Sequence, residues 1–346
     1  MSPSPSPAPS APLVLTMGDP AGVGGETALM AWATRTAGQG LPPFVMIGDV
    51  DWLAALSRRL GLGAVRAVDS LEDGPGVFDQ ALPVLVEPLA VPALAGKGDP
   101  ANGKAVIAAI ERAVALVAAG RAAGVVTLPI NKHVLKEAGF GHPGHTEFLG
   151  ALAARHWPDL PTRPVMMLAC PDLKVVPVTV HLALREAIAA LDETAIVACA
   201  TIVAQALTQD FAIAAPRLAI AGLNPHAGES GAMGREDITI IAPAVARLRA
   251  VGIDARGPLP ADTLFHAEAR AGYDVVLGMY HDQVLIPIKT LDFHGGVNVT
   301  LGLPFVRTSP DHGTAFDIAG RGLARPDSLI AALRLAAGMA SRRSAS

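Results

Sequence analysis

Cysteine is nearly absent: Cys170 and Cys199 are the only two in 346 residues and have no C-x-x-C partner. This excludes a disulfide framework or zinc knuckle and predicts two reduced core thiols. Basic clusters are missing as well. With a net charge of −4 and no Lys/Arg stripe to neutralise phosphates, nucleic acid is not an expected partner. Apolar stretches such as AVALVAAGRAAGVV are broken by glycine and arginine well short of the ~20 residues a bilayer span requires, so no membrane crossing is expected. The opening residues MSPSPSPAPSAP lack both the basic and the apolar region of a signal peptide. Residues 1–12 therefore read as a disordered tail, and the expected location is cytoplasmic.

What is present is apolar bulk. Hydrophobic residues make up 51% of the chain and charged residues 17%, enough for a large buried core in one large or two medium domains. Short β-branched runs (LVLTM, FVMIGD, PVLVEP, GVVTLPI, VMMLAC, VVPVTVH, LAIAGLNPH, DVVLGMYHD) alternate with Ala/Leu-rich runs of helical length. That alternation predicts an α/β fold with a largely parallel sheet. Gly120 and Gly252 mark helix ends, and Asp192 and Asp327 are N-cap candidates.

The string MGDPAGVGGE, between LVLT and an Ala/Leu-rich run, sits where a phosphate-cradling loop would sit. Counted from Gly22, the third glycine of G-x-G-x-x-G falls on Thr27, and no Lys-Ser/Thr pair follows. The stretch is either an anion loop of another kind or a tight strand-to-helix turn.

Polar chemistry collects at the predicted strand ends, where α/β proteins bind ligands. His181 ends VVPVTVH, His226 lies in LNPHAGES, and His281 ends VVLGMYH. Three such imidazoles are either hydrogen-bonded structural residues or ligands that hold a divalent cation with positions left open for substrate. Asp282 adjoins His281, and Asp262 lies in GPLPADTLF; either could orient an imidazole or accept a proton. His145 and Thr146, among the glycines of GHPGHTEF, suit an oxyanion or form a simple turn. Lys289, Asn298 and Arg307 punctuate the otherwise apolar IKTLDFHGGVNVTLGLPFVRTS, and its cations need an anionic partner, a buried carboxylate or a ligand phosphate.

The ordered strings GDPAGVGGE, PINK, GHTEF, LNPHAGE, GPLPADTLF, YHDQ and GVNVTLGLPFVRTSPDHGTAFDIAG resemble the 4-hydroxythreonine-4-phosphate dehydrogenase family of pyridoxal phosphate biosynthesis, from about Leu13 to Leu335. The resemblance implies NAD- or NADP-linked oxidation of 4-phosphooxy-L-threonine to a β-keto acid, which loses carbon dioxide to give 3-amino-2-oxopropyl phosphate. It implies one divalent cation per active site (zinc, magnesium, cobalt or manganese) on His181, His226 and His281. Substrate contacts fall on His145, Thr146, Lys289, Asn298 and Arg307. Asp262, Asp282 and Lys132 of PINK become the candidates for taking the hydroxyl proton. The family's site lies at the interface of a homodimer.

HGTAFDIAG is similar to the HGSAPDIAG segment of isopropylmalate and isocitrate dehydrogenases, which implies cofactor contacts at His312, Gly313 and Asp317. The implied architecture is their three-layer α/β/α fold, two subdomains around a central cleft. Residues 13–130 with 285–340 would form the cofactor-side domain, and residues 131–284 the metal, substrate and dimerisation domain. Two positions depart from the family pattern. Gly25 replaces a common proline, which predicts a looser opening turn. His294-Gly295 replaces a common basic residue, which predicts one cation fewer at the phosphate. Competing readings are a paralogous dehydrogenase of a phosphorylated sugar acid such as 4-phospho-D-threonate, a phosphate acyltransferase of similar architecture, and a non-catalytic binding protein.

Overall fold

The computed structural model describes residues 11–36 and 40–345 of the chain. Of the expected tail, residues 1–10 lie outside the described residues, while the Pro12 carbonyl accepts from Ala123 N at 3.1 Å. Strands and helices alternate in an α/β fold. In chain order the strands are β1 (Leu13–Thr16), β2 (Phe44–Gly48), β3 (Val65–Val68), β4 (Leu82–Val86), β5 (Val125–Thr127), β6 (Val165–Cys170), β7 (Leu173–Pro177), β8 (Arg217–Ala221), β9 (Asp254–Leu259), β10 (Val275–Gly278), β11 (Val297–Leu301) and β12 (Arg307–Pro310).

Two compact units result. One takes the residues up to 164 and from 303 onward, the other residues 165–302. The exchange points thus fall later than the 130/131 and 284/285 read from sequence, because the ends of both segments are committed by pairing and packing. Helix His145–His156 packs on helix Gly103–Ala118 in the first unit, and β11 pairs antiparallel with β6 in the second.

In the first unit the strand order is β3-β4-β2-β1-β5-β12, and every neighbouring pair is parallel. All four residues of β1 and all five of β2 are buried, the continuous apolar reading expected of strands covered on both faces. Helix Gly103–Ala118 packs on β1, β2 and β5, and helix Asp327–Ala345 on β1, β5 and β12. Asp327 sits inside the first turn of that helix rather than before it as a cap.

The opening loop is a packed turn. Its amides are taken up by the protein itself: Ala21 N by Asp19 Oδ1 at 2.9 Å, Gly22 N by the Asp19 carbonyl at 3.0 Å and Val23 N by the Thr314 carbonyl at 3.0 Å. The fully buried Glu26 stands in the first turn of helix Gly24–Ala33, and its Oε2 accepts from Gly320 N at 2.8 Å. Gly25 does not loosen the turn. A Cβ there would come 2.7 Å from the Trp52 ring, so the missing side chain is the space that Trp52 fills. Asp49 caps helix Val50–Leu60 through Trp52 N at 2.7 Å and accepts from Leu89 N at 3.0 Å, which uses both its oxygens.

The second unit has the order β11-β6-β7-β10-β8-β9. Its sheet is mixed, parallel from β7 to β9 but antiparallel across β11, β6 and β7. Only Pro171 and Asp172 join β6 to β7, too short for the crossover that parallel pairing needs. Helix Glu193–Phe211 is long and apolar enough to cross a membrane by length and composition; it packs on β6, β11 and helix Ala242–Ala250, and Ile196, Cys199, Ala200, Val203 and Leu207 are among its buried residues. Asp192 caps it through Ala195 N at 2.6 Å, as the sequence predicts. Both cysteines are buried and neither is in a disulfide.

Candidate active site

In the first unit, β5 runs into LPINK. Asn131 there caps helix Lys132–Glu137 by accepting from His133 N at 3.0 Å and Val134 N at 3.1 Å. His145 and Thr146 open helix His145–His156, where free amides and the helix dipole favour an anion. Arg307, the first residue of β12, is 3% exposed, and its Nη2 donates to Thr127 Oγ1 at 2.6 Å. Burial lowers Arg307 to about 10, so the guanidinium keeps its charge at neutral pH. Burial first, then the cations Arg307 and Lys132, hold the His145 imidazole well below its ordinary 6.5, and the ring is neutral. His145 Nε2 is buried without a hydrogen-bond partner. A neutral ring with one unused polar atom beside two cations can bind phosphate or carboxylate oxygens.

In the second unit, β7, β10 and β8 are adjacent and parallel, and each carries a predicted histidine just beyond its carboxyl end. His181 follows β7, His281 follows β10 and opens helix His281–Leu291, and His226 follows β8. The His181 and His281 rings lie 5.8 Å apart between centroids, beside a cavity of about 220 Å³ lined by Thr179, Leu182, Tyr280 and Asp282 among others. His281 Nδ1 sits 2.7 Å from Asp282 Oδ1, so Nε2 is the ring nitrogen left to face a ligand. His181 and His226 both have φ of 53°, and left-handed backbone continues from His226 through Ser230. Such a run, with four of its five residues other than glycine, is costly and persists only where the surroundings impose it.

Among the described residues, no group of three or more His, Cys, Asp or Glu side chains is arranged to hold a metal ion. The fold brings His181, His281 and Asp282 together and leaves His226 on the neighbouring strand's loop. Imidazole donors with a carboxylate behind one of them suit zinc or cobalt, so the residues present fit such a cation.

The other predicted residues are more scattered. Asp262 is exposed in the turn Ala261–Thr263, and Asn298 is half-buried on β11. The ammonium of Lys289 lies 5.7 Å from the Phe293 ring centroid. Where a basic residue is expected to be missing, His294 is exposed, and Gly295 N donates to Asp292 Oδ1 at 2.7 Å. In the cofactor segment, His312 Nδ1 lies 2.9 Å from the Gly313 carbonyl, its Nε2 is buried and unpartnered, and Asp317 is exposed. The orphaned imidazole nitrogen fits a hydrogen-bonding cofactor. That segment packs on the opening turn through Val23, Ala319 and Ala324. Sequence reasoning missed Thr127, Thr179, Asp237 and Gln283. Gln283 stands in the quoted YHDQ, whereas nothing in the local pattern around Asp237 separates it from a surface acid.

Residues 41–336 match the family model of pyridoxal phosphate biosynthetic protein PdxA. The 4-hydroxythreonine-4-phosphate dehydrogenase of Methylorubrum populi is 59% identical over 333 residues, covering 96% of this chain and 95% of that protein. The enzyme of that name from Caulobacter vibrioides is 57% identical over 334 residues, covering 96% and 99%. The crystal structure of 4-hydroxythreonine-4-phosphate dehydrogenase from Klebsiella pneumoniae superposes with a TM-score of 0.83 at 37% identity, covering 96% of this chain and 98% of that one. Site chemistry, fold and near-complete coverage agree: the chain belongs to the PdxA family of pyridoxal phosphate biosynthesis, an oxidoreductase family of 4-hydroxythreonine-4-phosphate dehydrogenases.

Proposed function

We propose that this chain oxidises 4-phosphooxy-L-threonine at its secondary hydroxyl, with NAD or NADP as acceptor and one divalent cation bound by His181, His226 and His281. The observation that carries the reading is the placement of those three histidines at the carboxyl ends of three adjacent parallel strands. When bound, the cation supplies Lewis acidity at the hydroxyl, and the nicotinamide takes up the hydride. Asp282 orients His281. Arg307, Lys132, His145 and Thr146 hold the phosphate, which positions the reacting carbon. Lys289 and Asn298 are further substrate contacts, and His312, Gly313 and Asp317 bind the cofactor. The hydroxyl proton goes to Asp262, Asp282 or Lys132. The Cα–carboxyl bond of the resulting 2-amino-3-oxo-4-phosphooxybutanoate then breaks, carbon dioxide leaves, the electron pair passes into the ketone as an enolate, and Cα takes up a proton to give 3-amino-2-oxopropyl phosphate.

The active form is a cytoplasmic homodimer. Two buried cysteines outside any disulfide suit a reducing compartment. Exposed Leu182, Leu184 and Ile188 beside His181, and Ile286 and Leu291 on the helix that His281 opens, are apolar surface suited to a second copy.

The test is NADH formation with 4-phosphooxy-L-threonine against 4-phospho-D-threonate, each with and without chelator. Chelator-sensitive turnover of the first substrate is expected. Preference for the second would establish the paralogous reading, and turnover that survives thorough chelation would remove the cation from the mechanism.

A further inference from the structure

Residues 312–320, the proposed cofactor segment, lie against the opening turn and are tied to it near both ends. Near the start, Val23 N donates to the Thr314 carbonyl at 3.0 Å, and a Cβ on Gly22 would come 2.8 Å from that same oxygen. At the far end, Gly320 N donates to Glu26 Oε2 at 2.8 Å across 294 positions of sequence. Between the two, Phe316 rests on the loop that follows β4. A Cβ on Gly96 would come 2.8 Å from the Phe316 carbonyl oxygen, and one on Gly98 would come 3.2 Å from the Phe316 ring. That loop is itself fixed. Gly96 N donates to the Ala21 carbonyl at 2.8 Å, and the Asn102 amide both accepts from Val91 N and donates to the Val91 carbonyl at 3.1 Å.

The two ties hold a backbone that does not hold itself. Ala315, next to Thr314, has φ of 44°, and Gly320 has φ of 73°. Left-handed backbone at a residue with a Cβ is costly and persists only where its surroundings impose it. Asp317 stands between these two bends. Release of the Gly320 tie frees the second bend, Ala315 relaxes toward ordinary backbone, and Asp317 loses its fixed position relative to His312 and Gly313.

Position 26 calls for an acceptor in a dry interior. Glu26 is fully buried, and its Oε1 has no hydrogen-bond partner among the described residues, so the side chain acts through the Oε2 bond. Glutamine keeps a carbonyl oxygen for Gly320 N, whereas methionine matches the length and leaves that N–H unpaired.

We propose that Glu26 is a positioning residue for cofactor binding: through Gly320 it holds residues 312–320 in the arrangement that presents His312, Gly313 and Asp317 together to NAD or NADP. The inference rests on the reading of those three residues as cofactor contacts. It does not require Glu26 to touch the cofactor, the substrate or a metal ion.

The test uses the full-length protein with no substrate present. NADH and NADPH are each titrated by the fluorescence of the bound dinucleotide, and amide hydrogen exchange across residues 312–322 is measured on the cofactor-free protein. The variants are Glu26→Met, Glu26→Gln and Asp317→Ala. Ser57→Ala removes a hydrogen bond of the same unit outside the segment, from the Ser57 hydroxyl to the Gly63 carbonyl at 2.6 Å, and controls for lost stability. In Glu26→Met, exchange across residues 312–322 quickens, and affinity for the preferred dinucleotide falls in proportion to the molecules whose segment is no longer seated, about five- to fiftyfold. Glu26→Gln, which keeps the acceptor, restores most of that affinity, and Ser57→Ala moves neither readout. Wild-type affinity and exchange in a folded Glu26→Met protein would overturn the proposal. So would a Ser57→Ala or Glu26→Gln protein that loses as much affinity as Glu26→Met. If Glu26→Met does not fold, Glu26→Ala decides by the same measurements. Equal dinucleotide binding by wild type and Asp317→Ala would instead refute the reading of the segment as a cofactor contact.

Discussion

Arg307 donates through Nη2 to Thr127 Oγ1 at 2.6 Å, joining the first residue of β12 to the last residue of β5. The pair holds a charged guanidinium in place where it is 3% exposed. Arg307→Lys keeps a charge but loses the planar fork, and with it one charge-assisted hydrogen bond of about 1.5–3 kcal/mol. The expected outcome is a KM for the phosphorylated substrate raised ten- to hundredfold. Thr127→Val, which removes only the support, should raise it about fivefold, roughly 1 kcal/mol. Steady-state kinetics on the two variants checks both.

His145 carries a pH signature. Its folded value lies well below the ordinary 6.5, so as pH falls the unfolded chain takes up the proton first. Stability from this group is full above 6.5 and declines as pH drops below it, by about 1.4 kcal/mol per pH unit, until the folded ring protonates. Urea unfolding between neutral pH and pH about 5 should therefore show a shallower acid loss in His145→Gln than in wild type. Parallel profiles would show that the ring is not held neutral.

Asp282 stands behind His281 at 2.7 Å while its own side chain is 71% exposed, so the pair orients the ring without stabilising the fold much. Asp282→Asn should weaken Co²⁺ or Zn²⁺ binding about ten- to hundredfold and leave the melting temperature of the metal-free protein within a degree or two. Competition titration against a chelator, with a thermal scan beside it, measures both.

Gly25 and Trp52 form a lock-and-space pair. Gly25→Ala puts a Cβ 2.7 Å from the indole and should destabilise by about 1–3 kcal/mol through overpacking. The double variant with Trp52→Leu should recover part of that loss. A double-mutant cycle from denaturant unfolding gives the coupling, and an additive result would mean that the two residues do not compete for space.

Much of the fold was legible because strand periodicity and helix signals are local. β1, β2 and β10 fall within the apolar runs that predict them, and Asp192 caps its helix by the local rule. The hairpin between β6 and β7 was not legible, since two residues of linker differ little in composition from the loops that lead into helices. Among the candidate site residues, polar strings at strand ends pointed to His181, His226 and His281, the glycine-flanked GHTEF to His145, and an isolated cation in an apolar stretch to Arg307. The supporting residues escaped for a different reason. Asp237 is 14 positions from Leu223, Gln283 is 61 from Gly222 and Thr179 is 100 from Met279, and no local pattern encodes partners so distant.

The amino-acid sequence by itself determined the α/β class, the lack of a disulfide framework and the list of candidate site residues, because each depends on residue type and short-range spacing. Tertiary structure alone decided that β7, β10 and β8 lie side by side, that burial, with Arg307 and Lys132 nearby, holds His145 neutral, and that one glutamine amide joins two histidine loops. Those outcomes depend on burial and on hydrogen bonds between chain segments far apart in sequence, and they exist only once the sheets have formed.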